Sequence, residues 1–175
     1  KIDNLKMITN KHNRGLAFSR NSGGRLSGGK VLAFLDSDMI LKNDWIDRAL
    51  NIFNNENIVA VMGQYVAPPN KKQNTLDKYL YSDLRGAKKL YDNGDIIDYK
   101  YFLCSNTLMR RNVFNDVGGF DDNITKYGGE DTELAIRLNK MFSNQLYYFP
   151  ELISYHYGQK TLGAFCQNMK IYGEF

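Results

Sequence analysis

Two aspartates directly after an apolar run are the first residues here whose types and spacing could do chemistry. Asp36 and Asp38 follow the segment Val-Leu-Ala-Phe-Leu at 31–35 and are separated by one serine. Residues i and i+2 of an extended chain face the same side, so both carboxylates can address one ligand. Carboxylate oxygens are hard ligands that suit a divalent cation, and such a cation can bridge a protein to phosphate. Taken alone, the pattern is also typical of an ordinary turn.

A second acidic pair, Glu130-Asp131, follows two glycines and begins a segment with helical periodicity. The positive end of a helix dipole favours ionised carboxylates. An ionised carboxylate could accept the proton of a substrate hydroxyl and so act as a general base. The alternative interpretation is ordinary charge complementarity at a helix N-terminus.

The elements that must position these acids alternate between strand and helix, which predicts an α/β fold. We expect strands at 5–9, 31–35, 58–66, 101–109 and 146–149. We expect helices at 16–26, after Asn43 or Asp44, and at 113–117, 130–142 and 161–172. The continuous apolar run at 31–35 is typical of a strand buried on both faces of a parallel sheet. Ligands of such sheets bind beyond the carboxyl ends of the strands, where Asp36 and Asp38 lie.

Length and charge narrow the class of protein. A chain of 175 residues favours one domain. The net charge is +4, and residues 1–30 hold seven Lys or Arg against Asp3 alone, which indicates an anionic ligand. Few aromatic residues interleave these cations, which favours a phosphorylated small molecule over nucleic acid. The two cysteines fit a reducing compartment, and no apolar run has the length of a membrane helix. We therefore expect a cytoplasmic protein, either free or at the inner face of the membrane.

One apparent motif is rejected. Residues 24–30 fit the pattern G-x-x-x-x-G-K of a phosphate-binding loop. That loop needs a preceding strand, a following helix and a hydroxyl residue for magnesium. Here Val31 replaces the hydroxyl residue, and the predicted order of helix and strand is reversed. The glycines are better explained as the end of a helix.

Four motifs in register resemble the nucleotide-sugar glycosyltransferases of the GT-A fold, family 2 in particular. They are Asn13-x-Gly15-x-Ala17-x-Ser19-Arg20-Asn21, Gly29-Lys30-Val31-Leu32-Ala33-Phe34-Leu35-Asp36-Ser37-Asp38, Gly118-Gly119-Phe120-Asp121 and Gly129-Glu130-Asp131. The later part is also similar to galactosyltransferases, polypeptide N-acetylgalactosaminyltransferases and bacterial chondroitin polymerase. The resemblance implies one GT-A domain with a mixed, mainly parallel, Rossmann-like sheet flanked by helices. Residues 1–66 would form its donor and metal part, and residues 67–175 its acceptor and catalytic part.

The resemblance also assigns a donor side. Asp36 and Asp38 would hold Mn²⁺ or Mg²⁺ together with the diphosphate of a nucleotide sugar, for which we expect a UDP-sugar. Asp36 would also lie near the ribose. Arg20 and Asn21 match a pair near the donor nucleotide. His156, six residues after a proline, resembles a third metal ligand in several relatives, although a packed ring is the alternative.

On the acceptor side, the resemblance implies that Asp131 is the base of an inverting transfer to a glycan or other hydroxyl acceptor. Glu130 would hold a hydroxyl group, and the two roles could be exchanged. A retaining transferase and a non-catalytic glycan- or nucleotide-binding domain stay open as alternatives. Polysaccharide biosynthesis would be the setting of such an enzyme. The family's first strands are not found, so we expect an N-terminally truncated domain of a longer chain with further domains, inactive as an isolated fragment.

Overall fold

A computed structural model describes residues 4–158 and 161–173. Its strands are β1 (Val31–Leu35), β2 (Met39–Leu41), β3 (Ala60–Val66), β4 (Asp95–Ile96), β5 (Asn106–Arg110) and β6 (Leu146–His156). Its α-helices are α1 (Gly15–Leu26), α2 (Trp45–Phe53), α3 (Thr75–Leu80), α4 (Arg111–Asp116), α5 (Glu130–Met141) and α6 (Leu162–Tyr172). The mixed α/β class is confirmed.

The strands form one sheet in the order β1-β5-β3-β6-β2, and β4 pairs with β6. Within the described ranges only β3 and β6 pair in parallel, while the other four pairings are antiparallel. The expectation of a mainly parallel sheet is therefore wrong for this part of the chain. That expectation rested on the apolar run in β1, which is typical of a strand buried on both faces. In the structure Leu32 and Phe34 are buried, whereas Ala33 and Leu35 are exposed. Five apolar residues in a row did not mean burial on both faces.

Several boundaries also differ from the sequence-based expectation. Residues 5–9 form no strand; they are exposed and make no ladder with another described segment. The strand expected at 101–109 starts only at Asn106, because residues Tyr99–Tyr101 form a 3₁₀ turn. That turn is capped by Asp98, whose Oδ1 accepts a hydrogen bond from the Lys100 amide at 2.9 Å. β2 was not expected, and β6 continues well past residue 149.

The hydrophobic core lies on both faces of the sheet, because successive side chains of a strand point to opposite sides. In β3, Ala60 and Met62 belong to a cluster with α1, α4 and α5, whereas Val61 belongs to a cluster with α2. In β5, Met109 and Leu108 divide in the same way. Helices therefore cover both faces and fix the sheet from either side.

The parallel pair of β3 and β6 contains a shift in register, after which β6 continues to His156. The register of β3 against β6 shifts between Gly63, opposite Phe149, and Gln64, opposite Ile153. The buried Asn106 amide spans this shift, donating to the carbonyls of Gln64 at 3.1 Å and Leu152 at 2.7 Å. A Cβ on Gly63 would lie 2.5 Å from the Leu152 oxygen, so only glycine allows this approach. Beyond the bulge, β6 resumes pairing and ends at His156.

Candidate active site

Arg20 is the centre of a buried acidic cluster. It projects from α1, and its Nη1 donates to Glu130 Oε1 at 3.0 Å and to Asp131 Oδ1 at 2.7 Å. Its Nη2 donates to Asp36 Oδ1 at 3.3 Å. The Arg20, Glu130 and Asp131 side chains are 12%, 5% and 15% exposed, so these charges are largely removed from water. One guanidinium thus joins the end of β1 to the first turn of α5.

The two acids of α5 are placed differently within this cluster. Asp131 uses both oxygens, since its Oδ2 also accepts a hydrogen bond from the Cys104 amide at 3.1 Å. Glu130 uses only Oε1, and its buried Oε2 has no hydrogen-bond partner among the described residues. Gly128 and Gly129 precede them with φ of 92° and 87°, a region that favours glycine, so the chain can turn sharply into the helix.

Burial is the largest influence on the pKa values of this pair. It raises the pKa of Asp131, against the lowering effect of Arg20 and of the Cys104 amide. Burial and the neighbouring Asp131 charge raise the pKa of Glu130, and Arg20 again opposes the shift. Burial alone would lower the pKa of Arg20, but the surrounding acids outweigh it and hold Arg20 charged. A carboxylate whose pKa is raised is a better proton acceptor near neutral pH.

Asn21, next to Arg20, faces the other way. It is buried, and its amide nitrogen donates to the Phe120 carbonyl at 2.8 Å and to Asp122 Oδ1 at 2.6 Å. Its amide oxygen accepts from the Phe120 amide at 2.9 Å. A Cβ on Gly119, whose φ is 71°, would lie 2.6 Å from that oxygen. In this structure Asn21 therefore braces the Gly-Gly-Phe-Asp turn and leaves Arg20 to face the cluster.

The second acidic centre joins Asp38 to His156. Met39 in β2 is paired with His156 in β6, and the Tyr157 amide donates to the Asp38 carbonyl at 2.8 Å. This pairing brings Asp38 Oδ2 within 3.2 Å of His156 Nε2. Asp36 lies on the other side of the turn, with its Oδ1 toward Arg20. Sequence reasoning placed three side chains together here; the structure brings two into direct contact.

Tyr81 holds the far side of the His156 ring. Its hydroxyl lies 2.9 Å from Nδ1 and 3.1 Å from the His156 carbonyl oxygen. When the hydroxyl donates to that carbonyl, it accepts from Nδ1–H, and Nε2 then presents a lone pair beside Asp38. Burial, with the charge of Asp77, raises the pKa of Tyr81 to about 12, so the hydroxyl keeps its proton. This is the orienting contact that a metal-ligating histidine requires.

The donor atoms at Asp38 and His156 fit a divalent cation. A Cβ on Gly158 would lie 2.5 Å from His156 Nε2 and 2.6 Å from Asp38 Oδ2, so glycine leaves this space open. An imidazole nitrogen and a carboxylate oxygen are suitable ligands for Mn²⁺. Across residues 4–158 and 161–173, no group of three or more His, Cys, Asp or Glu side chains is arranged to hold a metal. Among the described residues this centre could therefore offer two ligands to a cation, and a bound diphosphate would have to offer others.

Two cavities meet at these centres. The larger, of about 930 Å³, follows α1 and β1 to Asp36, Asp38 and His156. The other, of about 330 Å³, contains both Glu130 and Asp131 and is bounded by α6. Arg20, Asp36 and His156 line both. A ligand in the first cavity would therefore meet a ligand in the second beside the acidic cluster.

The sequence analysis missed two residues of this site, Tyr81 and Arg85, which both line the smaller cavity. They lie in the polar, Lys-rich segment 70–94, which has no motif and only short helical turns. The one signal in this segment is that aromatic and basic residues occur together. The sequence alone does not show that such residues lie near His156.

Comparison with known proteins identifies the family. Residues 1–118 match the family described as glycosyl transferase family 2. This chain belongs to that family. The glucosyl-dolichyl phosphate glucuronosyltransferase of Haloferax volcanii is 27% identical over 153 residues, covering 84% of this chain and 49% of its own. The chain thus spans about half the length of that relative.

Solved structures agree on the fold. The mannosyltransferase PcManGT from Pyrobaculum calidifontis, in complex with GDP-Man and Mn²⁺, aligns with a TM-score of 0.61 at 19% identity over 90% of this chain and 41% of its own. GalNAc-T7 with UDP, GalNAc and Mn²⁺ aligns with a TM-score of 0.60 at 15% identity over 84% of this chain and 31% of its own. The GT-A fold expected from the sequence is confirmed. None of the helices within residues 4–158 and 161–173 combines the length and apolar character needed to cross a membrane.

Proposed function

We propose that this domain is the catalytic part of an inverting, metal-dependent glycosyltransferase that takes a sugar from a nucleotide-diphosphate sugar to a hydroxyl acceptor. The observation that carries the proposal is the junction of two cavities at one acidic cluster. The Asp38–His156 pair lies toward the larger cavity, and Glu130 and Asp131 lie in the smaller one. Donor and acceptor can thus meet with the acids between them.

The donor would occupy the larger cavity. Asp38 and His156 would hold Mn²⁺ or Mg²⁺, with Asp36 beside them and Arg20 behind Asp36. When bound, the cation would neutralise the diphosphate and stabilise the nucleotide as it leaves. Two solved structures of the same fold hold Mn²⁺ together with GDP-Man or UDP, which supports both the cation and the nucleotide-sugar donor of this proposal. Our choice of a UDP-sugar over a GDP-sugar stays a prediction.

The acceptor would occupy the smaller cavity. Its hydroxyl oxygen attacks the anomeric carbon, the bond from that carbon to the diphosphate oxygen breaks, and the hydroxyl proton passes to Asp131. Arg20 and the Cys104 amide fix the Asp131 carboxylate by contacts at 2.7 Å and 3.1 Å, which holds it in one orientation for this transfer. The free Oε2 of Glu130 can accept a hydrogen bond from an acceptor hydroxyl.

The test is nucleotide release by the full-length protein from UDP-sugars and GDP-mannose, with Mn²⁺ and with a chelator. We expect release from one donor class with Mn²⁺ and none with chelator, and the anomeric configuration of any transfer product should be inverted in NMR spectra. Absence of metal-dependent release from every donor would contradict the proposal. A retained configuration would be consistent with transferase activity, but it would contradict the role of Asp131 as the base of a single displacement.

A further inference from the structure

Arg85 carries a buried guanidinium nitrogen with no partner. Its Nη1 is inaccessible to water and makes no hydrogen bond with any residue in 4–158 or 161–173. Its other close interaction is a cation–π contact, with Cζ 4.6 Å from the centre of the Tyr79 ring. Arg85 as a whole is partly exposed, but one buried donor without an acceptor is still costly, so an acceptor from outside the described residues would stabilise it.

The position of Arg85 indicates which kind of ligand would supply this hydrogen-bond acceptor. Arg85 lines the acceptor cavity that contains Glu130 and Asp131, and it also lines an adjoining cavity of about 130 Å³. Lys88 and Lys100 line the adjoining cavity as well. A ligand in the acceptor cavity could therefore extend a substituent past Arg85 into this second, basic space.

The cations that line the adjoining cavity are only partly neutralised by carboxylates of the described residues. Lys88 donates to the Tyr81 carbonyl at 3.2 Å and lies 5.7 Å from the Tyr65 ring centre, but no carboxylate within the described residues forms a salt bridge with it. Burial and the charge of Arg85 lower the pKa of Lys88, while the exposed Asp83 acts in the opposite direction. Lys100 differs, since Asp98 lies 3.6 Å from its Nζ.

We propose that the adjoining cavity binds an anionic substituent, a carboxylate or a phosphate, carried by the acceptor. This inference rests on the proposed function, because it assigns the acceptor to the cavity of Glu130 and Asp131. A volume of about 130 Å³ corresponds to about four water molecules at liquid density. This space is large enough for a carboxylate or a phosphate group. An oxyanion there would satisfy Arg85 Nη1 by a charge-assisted hydrogen bond and meet the positive field of Lys88.

The experiment compares matched probes: methyl β-glucuronide, glucose 1-phosphate and the neutral methyl β-glucoside. Their binding to the protein with UDP and Mn²⁺ is measured by ligand-observed NMR. We expect one anionic probe to bind on the order of tenfold more tightly than the glucoside, the scale of a hydrogen bond to a charged group. Arg85→Gln should remove that preference. Lys89→Gln, an exposed cation that lines neither cavity, should keep it.

Whichever anionic probe is preferred identifies the substituent as carboxylate or phosphate. Equal binding of all three probes, or an unchanged preference in Arg85→Gln, would overturn the inference. Metal-dependent nucleotide release by the same wild-type preparation separates this result from failure of the proposed function. If release occurs while no anion preference is found, only the assignment of the cavity is wrong.

Discussion

The two acidic centres of this domain differ in how their charge is balanced. Around Arg20, three carboxylates share one guanidinium, and Asp131 also accepts a hydrogen bond from the Cys104 amide. Arg20, Glu130 and Asp131 are largely closed to water, whereas the Asp36 side chain is 40% exposed. At the other centre, Asp38 has a 45% exposed side chain and only the His156 ring beside it. The first is organised by the protein alone. The second offers two ligand atoms and an open space, and we infer that it is completed only by a cation and the donor diphosphate.

This difference separates stability from ligand binding. Changes at Arg20, Glu130 or Asp131 should alter folding and proton transfer while leaving metal affinity nearly unchanged. Changes around Asp38 and His156 should alter metal affinity while leaving folding nearly unchanged. The predictions below are ordered from the largest expected effect to the smallest. Failure of any one would weaken the distinction between the two centres.

The largest effect is expected from Arg20→Met, which leaves Glu130 and Asp131 buried without their cation. Breaking a buried ion pair by removing one partner costs about 3–5 kcal/mol of unfolding free energy. Arg25→Met, an exposed arginine on the same helix, should cost little. Denaturant unfolding at neutral pH measures both. Equal, small losses would show that the cluster contributes nothing to the fold.

The same variant should change the pH dependence of stability. Since the pKa values of Glu130 and Asp131 are raised on folding, their contribution is present below their unfolded pKa values and lost as pH rises through the folded ones. Removing Arg20 raises both folded pKa values further. The loss in Arg20→Met should therefore grow as pH rises through that window and shrink below it, which unfolding at several pH values would reveal.

Asp131→Asn should reduce kcat for transfer by on the order of 10² or more, because an amide cannot accept the proton. Glu130→Gln should mainly raise the acceptor KM, because its Oε2 would only hold a hydroxyl group. Steady-state kinetics at saturating donor separate the two parameters. A normal kcat in Asp131→Asn together with a lost kcat in Glu130→Gln would reverse the assignment.

Tyr81→Phe should weaken Mn²⁺ affinity about tenfold, the low end for loss of a group that orients a metal ligand. The phenol ring stays, so the packing against Tyr65 and His156 is kept. Tyr79→Phe, on the same segment but without a hydroxyl contact to His156, is the control. Isothermal titration of Mn²⁺ with UDP measures both. Equal affinities would mean that the His156 tautomer does not depend on Tyr81.

The smallest effect is expected from Gly158→Ala. Its methyl group would enter the space between Asp38 Oδ2 and His156 Nε2, and movement of the Asp38 carboxylate can relieve only part of the clash. We expect a loss of Mn²⁺ affinity of a few fold, on the scale of an altered metal environment. Gly163→Ala, where a Cβ meets nothing within 4 Å, should have no effect. The same titration decides whether the open space is needed.

Many of the helices and motif positions could be predicted from the sequence, because the patterns that indicate them are local. Helical periodicity located α1 and α5, and the motif positions of Asp36, Asp38, Glu130 and Asp131 indicated where chemistry could occur. The three-residue β2 was too short to give a pattern. The expected strand ended before Pro150, whereas β6 continues through this proline and places His156 beside Asp38.

The contacts that balance charge could not be predicted, because they are long-range. Arg20 and Asp131 are separated by 111 positions, and nothing near either residue encodes their 2.7 Å contact. The sequence motif placed Asn21 beside Arg20 but could not show that adjacent residues on one helix face different partners. Tyr81 and Arg85 lie in a segment whose polar composition is typical of a solvated surface.

The most direct test of the division between the two centres is calorimetry of UDP binding, with and without Mn²⁺, for two isosteric variants. Asp38→Asn should lose the Mn²⁺-dependent part of binding, because an anionic ligand becomes neutral while its shape is kept. Asp131→Asn should keep that part at its wild-type value. If Asp38→Asn binds UDP and Mn²⁺ as the wild-type protein does, or if Asp131→Asn loses this binding, the assignment of metal to one centre and proton transfer to the other is contradicted.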